Sequence, residues 1–96
     1  MRKGIKEMNA IVTVIGENRV GIIAAISMRL AGFGVDILDV SQTILNGSFT
    51  MVMVVNLEGA SASFAEIRDA LTELGRERAL SIRIQRQEIF EAMHTV

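Results

Sequence analysis

The sequence has no cysteine, few aromatic residues, no excess of charge of either sign and no long apolar run. Without cysteine it can form no disulfide, hold no thiolate metal site and use no cysteine nucleophile, which fits a reducing compartment. No stretch of about 18 apolar residues is present, and the basic residues at the start lead into no apolar segment before Asn9. We therefore expect a cytoplasmic protein that neither spans a membrane nor is exported.

The opposite charges nearly cancel, because 10 Lys and Arg residues and 11 Asp and Glu residues leave a formal net charge of −1. This balance gives no basic footprint for direct binding of nucleic acid. The single histidine, His94, lies near the C-terminus with no serine visibly paired with it, so we expect no enzyme, no cofactor and no metal ion. The six methionines are better explained as adaptable packing residues than as ligands of a soft metal.

Half of the 96 residues are apolar, which is enough for the core of one small domain and too little for two. Residues 1–7 are predicted to be a flexible N-terminal extension. Residues 8–96 are predicted to form one domain that ends in a short C-terminal extension, residues 88–96.

Six elements are predicted from apolar periodicity and turn residues. They are a strand at 10–15, a helix from 22 to about 33, strands at 35–45 and 49–57, a helix from 63 to 75 or 78, and a strand at 80–85. Ser63 and Glu66 form a capping box at the start of the second helix, and Asn46-Gly47 is a hairpin turn. The order βαββαβ predicts an α+β ferredoxin-like sandwich, in which one four-stranded antiparallel sheet carries both helices on a single face. The first and third strands are apolar on both faces and are predicted to be central.

The turn between the first strand and the first helix, Gly16-Glu17-Asn18-Arg19-Val20-Gly21-Ile22, is suited to hold a small anion. The first amide N–H groups of the helix, around 20–23, have no partner within the helix and carry the positive end of its dipole. Glycine at two positions lets a ligand approach these amides. The same residues also suit an ordinary strand-to-helix connection, so spacing alone does not decide between the two interpretations.

The face of the sheet without helices is predicted to expose an apolar patch of several hundred Å², the size of an interaction surface. Depending on the register, the third strand presents either Phe49, Met51, Met53 and Val55 or Thr50, Val52 and Val54 on it. Self-association is therefore expected. Alternatively, Ile89–His94 forms a short helix that covers part of this patch.

The βαββαβ order, the Gly16–Ile22 turn and the Gly34-Val35-Asp36-Ile37 entry to the second strand resemble the ACT domain, over about residues 8–87. The closing Ile89-Phe90-x-Ala92-Met93-His94 resembles small stand-alone ACT proteins related to the glycine cleavage system transcriptional repressor. The resemblance implies a regulatory domain that binds an amino acid.

In the serine-binding ACT domain of phosphoglycerate dehydrogenase, a His and two Asn contact the ligand, and they match Gly16, Asn18 and Asp36 here. Of these three residues, only the second is kept, as Asn18. The aspartate at the third position, Asp36, favours a ligand ammonium group. The predicted ligand-binding residues are Asn18, Arg19, Val20, Gly21, Ile22 and Asp36. Since the first two strands run parallel, the turn and Asp36 are expected at opposite ends of the sheet, roughly 15 to 20 Å apart. One ligand then touches both only in a homodimer or higher homo-oligomer.

Two other functions remain open from the sequence, and a third, RNA binding, is not expected. An interaction or oligomerisation module would use the sheet face without helices and bind no ligand. Whether or not a ligand binds, a signal would pass to another protein chain. An acylphosphatase-like hydrolase has the same topology, and Arg19 lies in a similar turn, but the rest of that pattern is missing. RNA-binding domains of this topology stack bases on aromatic residues of the first and third strands, where only Phe49 is present.

Overall fold

The computed structural model describes residues 8–88. The elements are β1 (Asn9–Glu17), α1 (Ile22–Gly32), β2 (Asp36–Leu45), β3 (Ser48–Asn56), α2 (Phe64–Arg78) and β4 (Leu80–Arg86). The sheet is antiparallel at every pairing and has the order β2-β3-β1-β4. The predicted ferredoxin-like sandwich with central first and third strands is confirmed. The predictions for residues 1–7 and for Ile89–His94 lie outside the described residues.

The core lies between the sheet and the two helices. Alternate residues of the central strands point toward the helices and are buried there, where each apolar side chain contributes about 1.5 to 3 kcal/mol. The buried set is Ala10, Val12 and Val14 of β1, Phe49, Met51, Met53 and Val55 of β3, and Ile22, Ile26, Leu30, Ile67, Leu71 and Leu74 of the helices. The register is thereby decided, and Thr50, Val52 and Val54 belong to the face without helices.

The β2–β3 hairpin turns through Asn46 and Gly47, whose φ angles of 53° and 79° are both left-handed. Such a two-residue turn follows the right-handed twist of the strands it joins, as predicted from the Asn-Gly pair. A bulge interrupts β2 between Ile37 and Asp39, so that Leu38 has no partner in β3. The extra residue at this point shifts the faces of the strand by one.

The two helices differ in how they begin. The side chain of Ser63 accepts a hydrogen bond from the Glu66 amide at 3.1 Å, and the Glu66 carboxylate accepts one from the Ser63 amide at 2.9 Å. This confirms the predicted capping box of α2. In contrast, α1 begins after Gly21 with no side-chain cap. Ile23, in the first turn of α1, is exposed.

Candidate ligand-binding site

The turn between β1 and α1 is shorter than the sequence predicts. β1 continues to Glu17, and Gly16 is a strand residue paired with Phe49 and Leu80 on its two sides. The connection is therefore residues 18–21. The Asn18 amide donates a hydrogen bond of 2.9 Å to the carbonyl of Gly47, which fastens the turn to the tip of the β2–β3 hairpin.

The start of α1 presents free backbone donors. The first bond of the helix runs from the Ala25 amide to the Gly21 carbonyl at 2.9 Å, so the three amides of residues 22–24 precede the helical ladder. The first turn contains no acidic side chain. Gly21 has φ of 89°, a left-handed conformation that costs about 1 to 2 kcal/mol for a residue with a Cβ. The backbone and dipole here favour a carboxylate or another small anion.

An open cleft of about 530 Å³ lies beside this helix start. It is lined by Asn18, Arg19, Gly21, Ile22, Ile23, Ala24, Gln42, Ile44 and Phe49. Four of the six predicted site residues are therefore brought together, and the volume is within the range of small-molecule sites. The contribution of Gln42, Ile44 and Phe49 was missed by sequence reasoning. A polar Gln42 between Val40 and Ile44, on the face that otherwise carries apolar residues, was the available signal.

Arg19 and Val20 are placed differently from the rest of the turn. Arg19 donates to the Glu17 carboxylate at 2.9 Å, and both side chains are largely exposed, so this ion pair contributes about 0 to 1 kcal/mol. Val20 is fully exposed and does not line the cleft. It borders a smaller cavity of about 230 Å³ on the other side of the turn, together with Arg19, Ile22 and the C-terminal end of α2.

Asp36, the sixth predicted residue, lies at the opposite end of the sheet. It pairs with Asn56 at the end of β3, whereas the turn is next to Ser48 at its beginning. Eight residue steps separate these two positions, which is about 26 Å at ~3.3 Å per residue. The predicted 15 to 20 Å is an underestimate because β1 has nine residues, whereas the sequence predicts a strand only at 10–15.

The register also places Asp36 on the face without helices, in a row with Asn56 and Asn9. In this row the Asn56 side-chain amide donates to the Asn9 side-chain oxygen at 2.7 Å. The cleft, in contrast, opens toward the helix side. Within one chain, Asp36 is therefore too far from the cleft to share its ligand.

None of the helices within residues 8–88 is long and apolar enough to cross a membrane. Nor do these residues include a group of three or more His, Asp or Glu side chains placed to hold a metal ion.

These features define a ferredoxin-like α+β domain with a ligand-sized cleft at an uncapped helix start. A profile of the ACT domain matches residues 9–85. The chain belongs to the ACT domain family. This family is regulatory, and its members typically bind small-molecule ligands.

Relatives of the chain agree with this assignment. A UPF0237 protein of Listeria innocua is 47% identical over 87 residues, which cover 91% of this chain and 98% of the relative. The structure of an ACT domain protein from Streptococcus pneumoniae is similar with a TM-score of 0.76 and 38% identity, covering 88% of this chain and 94% of that one. A crystal structure of a glycine cleavage system transcriptional repressor shares the fold, with a TM-score of 0.71 and 21% identity over 80% of this chain and 44% of that one.

Proposed function

We propose that this protein is a non-catalytic regulatory module of the cytoplasm, which binds an amino acid or a similar small polar molecule as a homodimer. One observation carries the proposal. The N-terminus of α1, with no side-chain cap and no acidic residue in its first turn, opens into a cleft of about 530 Å³. A helix start of this kind attracts an anion, and the cleft offers room for the rest of the molecule.

The lining of the cleft matches the parts of an amino acid. The ligand carboxylate accepts hydrogen bonds from the free amides at the start of α1. The side-chain oxygens of Asn18 and Gln42 accept from its ammonium group. Ile44 and Phe49 provide apolar surface for a ligand side chain. Arg19, already paired with Glu17, is a rim residue that a ligand carboxylate reaches only by competing with that ion pair.

The edge strand β2 is the surface on which we place the dimer. Every residue of β2 except Ile37 is exposed, and in the order β2-β3-β1-β4 its outer edge has no partner strand. A second copy can continue the sheet by antiparallel pairing of the two β2 strands, which is an isologous contact.

Such a dimer would bring Asp36 to the site from the other subunit. A pairing centred between Val40 and Ser41 sets Asp36 of one subunit opposite Leu45 of the other, about 5 Å away across the strands. Leu45 is close to the cleft, since Ile44 lines it. Because Asp36 faces the side away from the helices, its carboxylate has to reach around the sheet edge to meet the ligand ammonium. We therefore propose a weaker contact for Asp36 than for Asn18.

Regulation follows from this arrangement by a shift of populations. A ligand that contacts both subunits binds the dimer better than the separated chains and so stabilises it. The change of assembly or of shape then acts on another protein.

Thermal unfolding with added amino acids tests the ligand site. Glycine, serine, and branched and aromatic amino acids are each added at millimolar concentration, and a ligand at about 100 times its Kd stabilises the fold by about 2.7 kcal/mol. We expect Asn18→Ala and Gln42→Ala to remove the shift given by the active amino acid. Thr43→Ala is the matched control, because Thr43 follows Gln42 in β2 but faces the other side of the sheet.

Light scattering at micromolar concentration tests the dimer independently. We expect a dimer that Val40→Lys dissociates, whereas Ser81→Lys on the opposite edge strand leaves it intact. A monomer that still responds to an amino acid would disprove the shared site. A dimer that responds to none would favour the second candidate, an interaction module without a ligand, for which the exposure of every β2 residue except Ile37 is the supporting observation.

A further inference from the structure

The outer edge of β4 is the second edge of the sheet, on the side away from β2. In the order β2-β3-β1-β4, no strand of residues 8–88 pairs with this edge. Ile82 and Ile84 of β4 are 8% and 7% exposed, the two highest values among the buried residues of the core cluster. The core is therefore least covered along this edge.

The register shows which backbone groups of the sheet face each neighbouring strand. The Asn18 amide donates to the Gly47 carbonyl at one end of the β1–β3 ladder, and the Leu57 amide donates to the Met8 carbonyl at the other. Hydrogen-bonded pairs alternate with non-bonded pairs along an antiparallel ladder. Even-numbered residues of β1 therefore bond to β3, and odd-numbered residues of β1 bond to β4.

This alternation leaves two residues of β4 with outward-pointing backbone groups. Thr13 of β1 is opposite Arg83, so the amide and the carbonyl of Arg83 bond to β1. The amides and carbonyls of its two neighbours, Ile82 and Ile84, point away from the sheet. An added strand would find two donors and two acceptors there.

A cavity of about 290 Å³ lies along the same stretch of β4, beside α2. It is lined by Arg68 and Thr72 of α2 and by Ile82, Arg83, Ile84 and Gln85 of β4. The two isoleucines give this cavity an apolar part, and the two arginines give it positive charge. No acidic residue lines it.

The charges along this edge are basic. β4 contains two charged residues, Arg83 and Arg86, and no acidic residue. Arg83 is exposed and forms no ion pair with another of residues 8–88. Arg68 pairs with the adjacent Asp69 at 3.4 Å, but both side chains are largely exposed, so this pair is weak. The edge therefore favours a segment that carries negative charge.

A second copy of this chain fits the edge poorly. Pairing of β4 with another β4 brings four arginines together and no acid, and like charges on neighbouring strands are destabilising. The β2 strand carries Asp36 and Asp39, but the dimer proposed above already uses the edge of β2. The chemistry of the β4 edge thus points to a different, acidic chain.

We propose that the outer edge of β4 binds an extended acidic segment of another protein as an added antiparallel strand. The backbone groups of Ile82 and Ile84 supply the main-chain hydrogen bonds. On the sheet face without helices, an acidic side chain of the segment lies opposite Arg83. On the helix side, an apolar side chain enters the cavity beside Arg68. This contact uses neither the cleft nor β2, so it is independent of the proposed ligand and dimer.

Fluorescence anisotropy of a labelled peptide tests the charge requirement. The peptide alternates valine and aspartate, and it is added to the full chain at low salt. We expect saturable binding, and none when lysine replaces aspartate. Arg83→Glu should weaken binding about tenfold, because an attractive cross-strand pair becomes repulsive. Arg76→Glu is the matched control, since Arg76 is exposed, pairs with Glu73 and does not line the cavity. It should change binding by less than about twofold.

Methylation of the peptide backbone tests the strand pairing itself. Valines opposite Ile82 and Ile84 donate their amides to β4, whereas the aspartate amides point away from it. N-Methylation of the valines should therefore abolish binding, and N-methylation of the aspartates should leave it intact. Equal effects of the two methylations would overturn the strand addition. Equal effects of Arg83→Glu and Arg76→Glu would overturn the placement at β4, and an aspartate peptide that does not bind would reject the proposal outright.

Discussion

The two βαβ units of this domain share one element order but differ in how tightly their helices are fixed. In the second unit, β3-α2-β4, the helix has a capping box and packs directly against the strand that follows it. In the first unit, β1-α1-β2, the helix starts at a bare glycine and the following strand is exposed along nearly its whole length. We therefore expect the second unit to be the more stable of the two, whereas the first has an uncapped helix start and an exposed edge strand.

In the second unit, α2 and β4 lie so close together that no side chain fits between them at one position. We call this contact the seam of the second unit. Gly75 lies buried within α2, and a Cβ at this position would come within 2.6 Å of the carbonyl oxygen of Leu80 in β4. The guanidinium of Arg86 lies 4.7 Å from the ring centre of Phe64 and adds a cation–π contact between the same two elements. In the first unit a Cβ at Gly32, near the end of α1, would meet no atom within 4 Å, and the cleft lies between the start of α1 and Gln42 and Ile44 of β2.

The largest effect should come from forcing the tight seam apart. Gly75→Ala is expected to lower the free energy of unfolding by about 2 kcal/mol, because the backbone of β4 has to move away from the added methyl group. Gly32→Ala is the matched control in α1, where a Cβ meets no atom within 4 Å. It should be neutral or stabilise by about 0.5 kcal/mol. Urea denaturation followed by circular dichroism measures both, and equal effects would contradict the difference between the units.

A smaller effect is expected from the helix starts. Ser63→Ala removes one half of the capping box of α2 and should cost about 1 kcal/mol. Asn18→Ala, before α1, should cost much less, because no side chain caps that helix. The same urea titrations decide this comparison. A loss of more than about 1 kcal/mol in Asn18→Ala would show that Asn18 serves the fold, and the ligand role proposed for it would then lose its support.

The smallest effect concerns the rim of the cleft. Glu17→Gln breaks the ion pair with Arg19 and should change stability by less than about 0.5 kcal/mol, since both side chains are exposed and screened by salt. The same substitution frees Arg19, so it should strengthen binding of an anionic ligand in the thermal-shift assay at low salt. A ligand response that Glu17→Gln leaves unchanged at low salt would remove Arg19 from the site.

The sequence predicts most of this fold because its local signals agree with one another. Apolar residues on both faces of the first and third strands place them at the centre, and Ser63 with Glu66 marks the start of α2. The signals fail where neighbouring strands decide the outcome. The bulge at Leu38 and the extension of β1 to Glu17 depend on pairing with β3, which no local pattern records.

The site is less predictable than the fold for a similar reason. Asn18, Gly21 and Ile22 are found from the turn itself, since a helix start is a local feature. Gln42 and Ile44 come from a strand more than 20 residues later and join the cleft only through the order of the sheet. Asp36 shows the converse, because this position, chosen from the family pattern, lies at the far end of the sheet from the cleft.

The hydrogen bond from the Asn18 amide to the Gly47 carbonyl makes the binding turn and the hairpin tip one mechanical unit. A molecule that binds the hairpin tip therefore also restrains the backbone of the turn that precedes the first amides of α1. A partner protein that prefers one position of this tip changes the affinity of the cleft for a ligand. By thermodynamic linkage, the ligand changes the affinity for that partner by the same factor. If the cleft binds a ligand as proposed, the tip of the hairpin is the place where a signal would leave it without passing through the hydrophobic core.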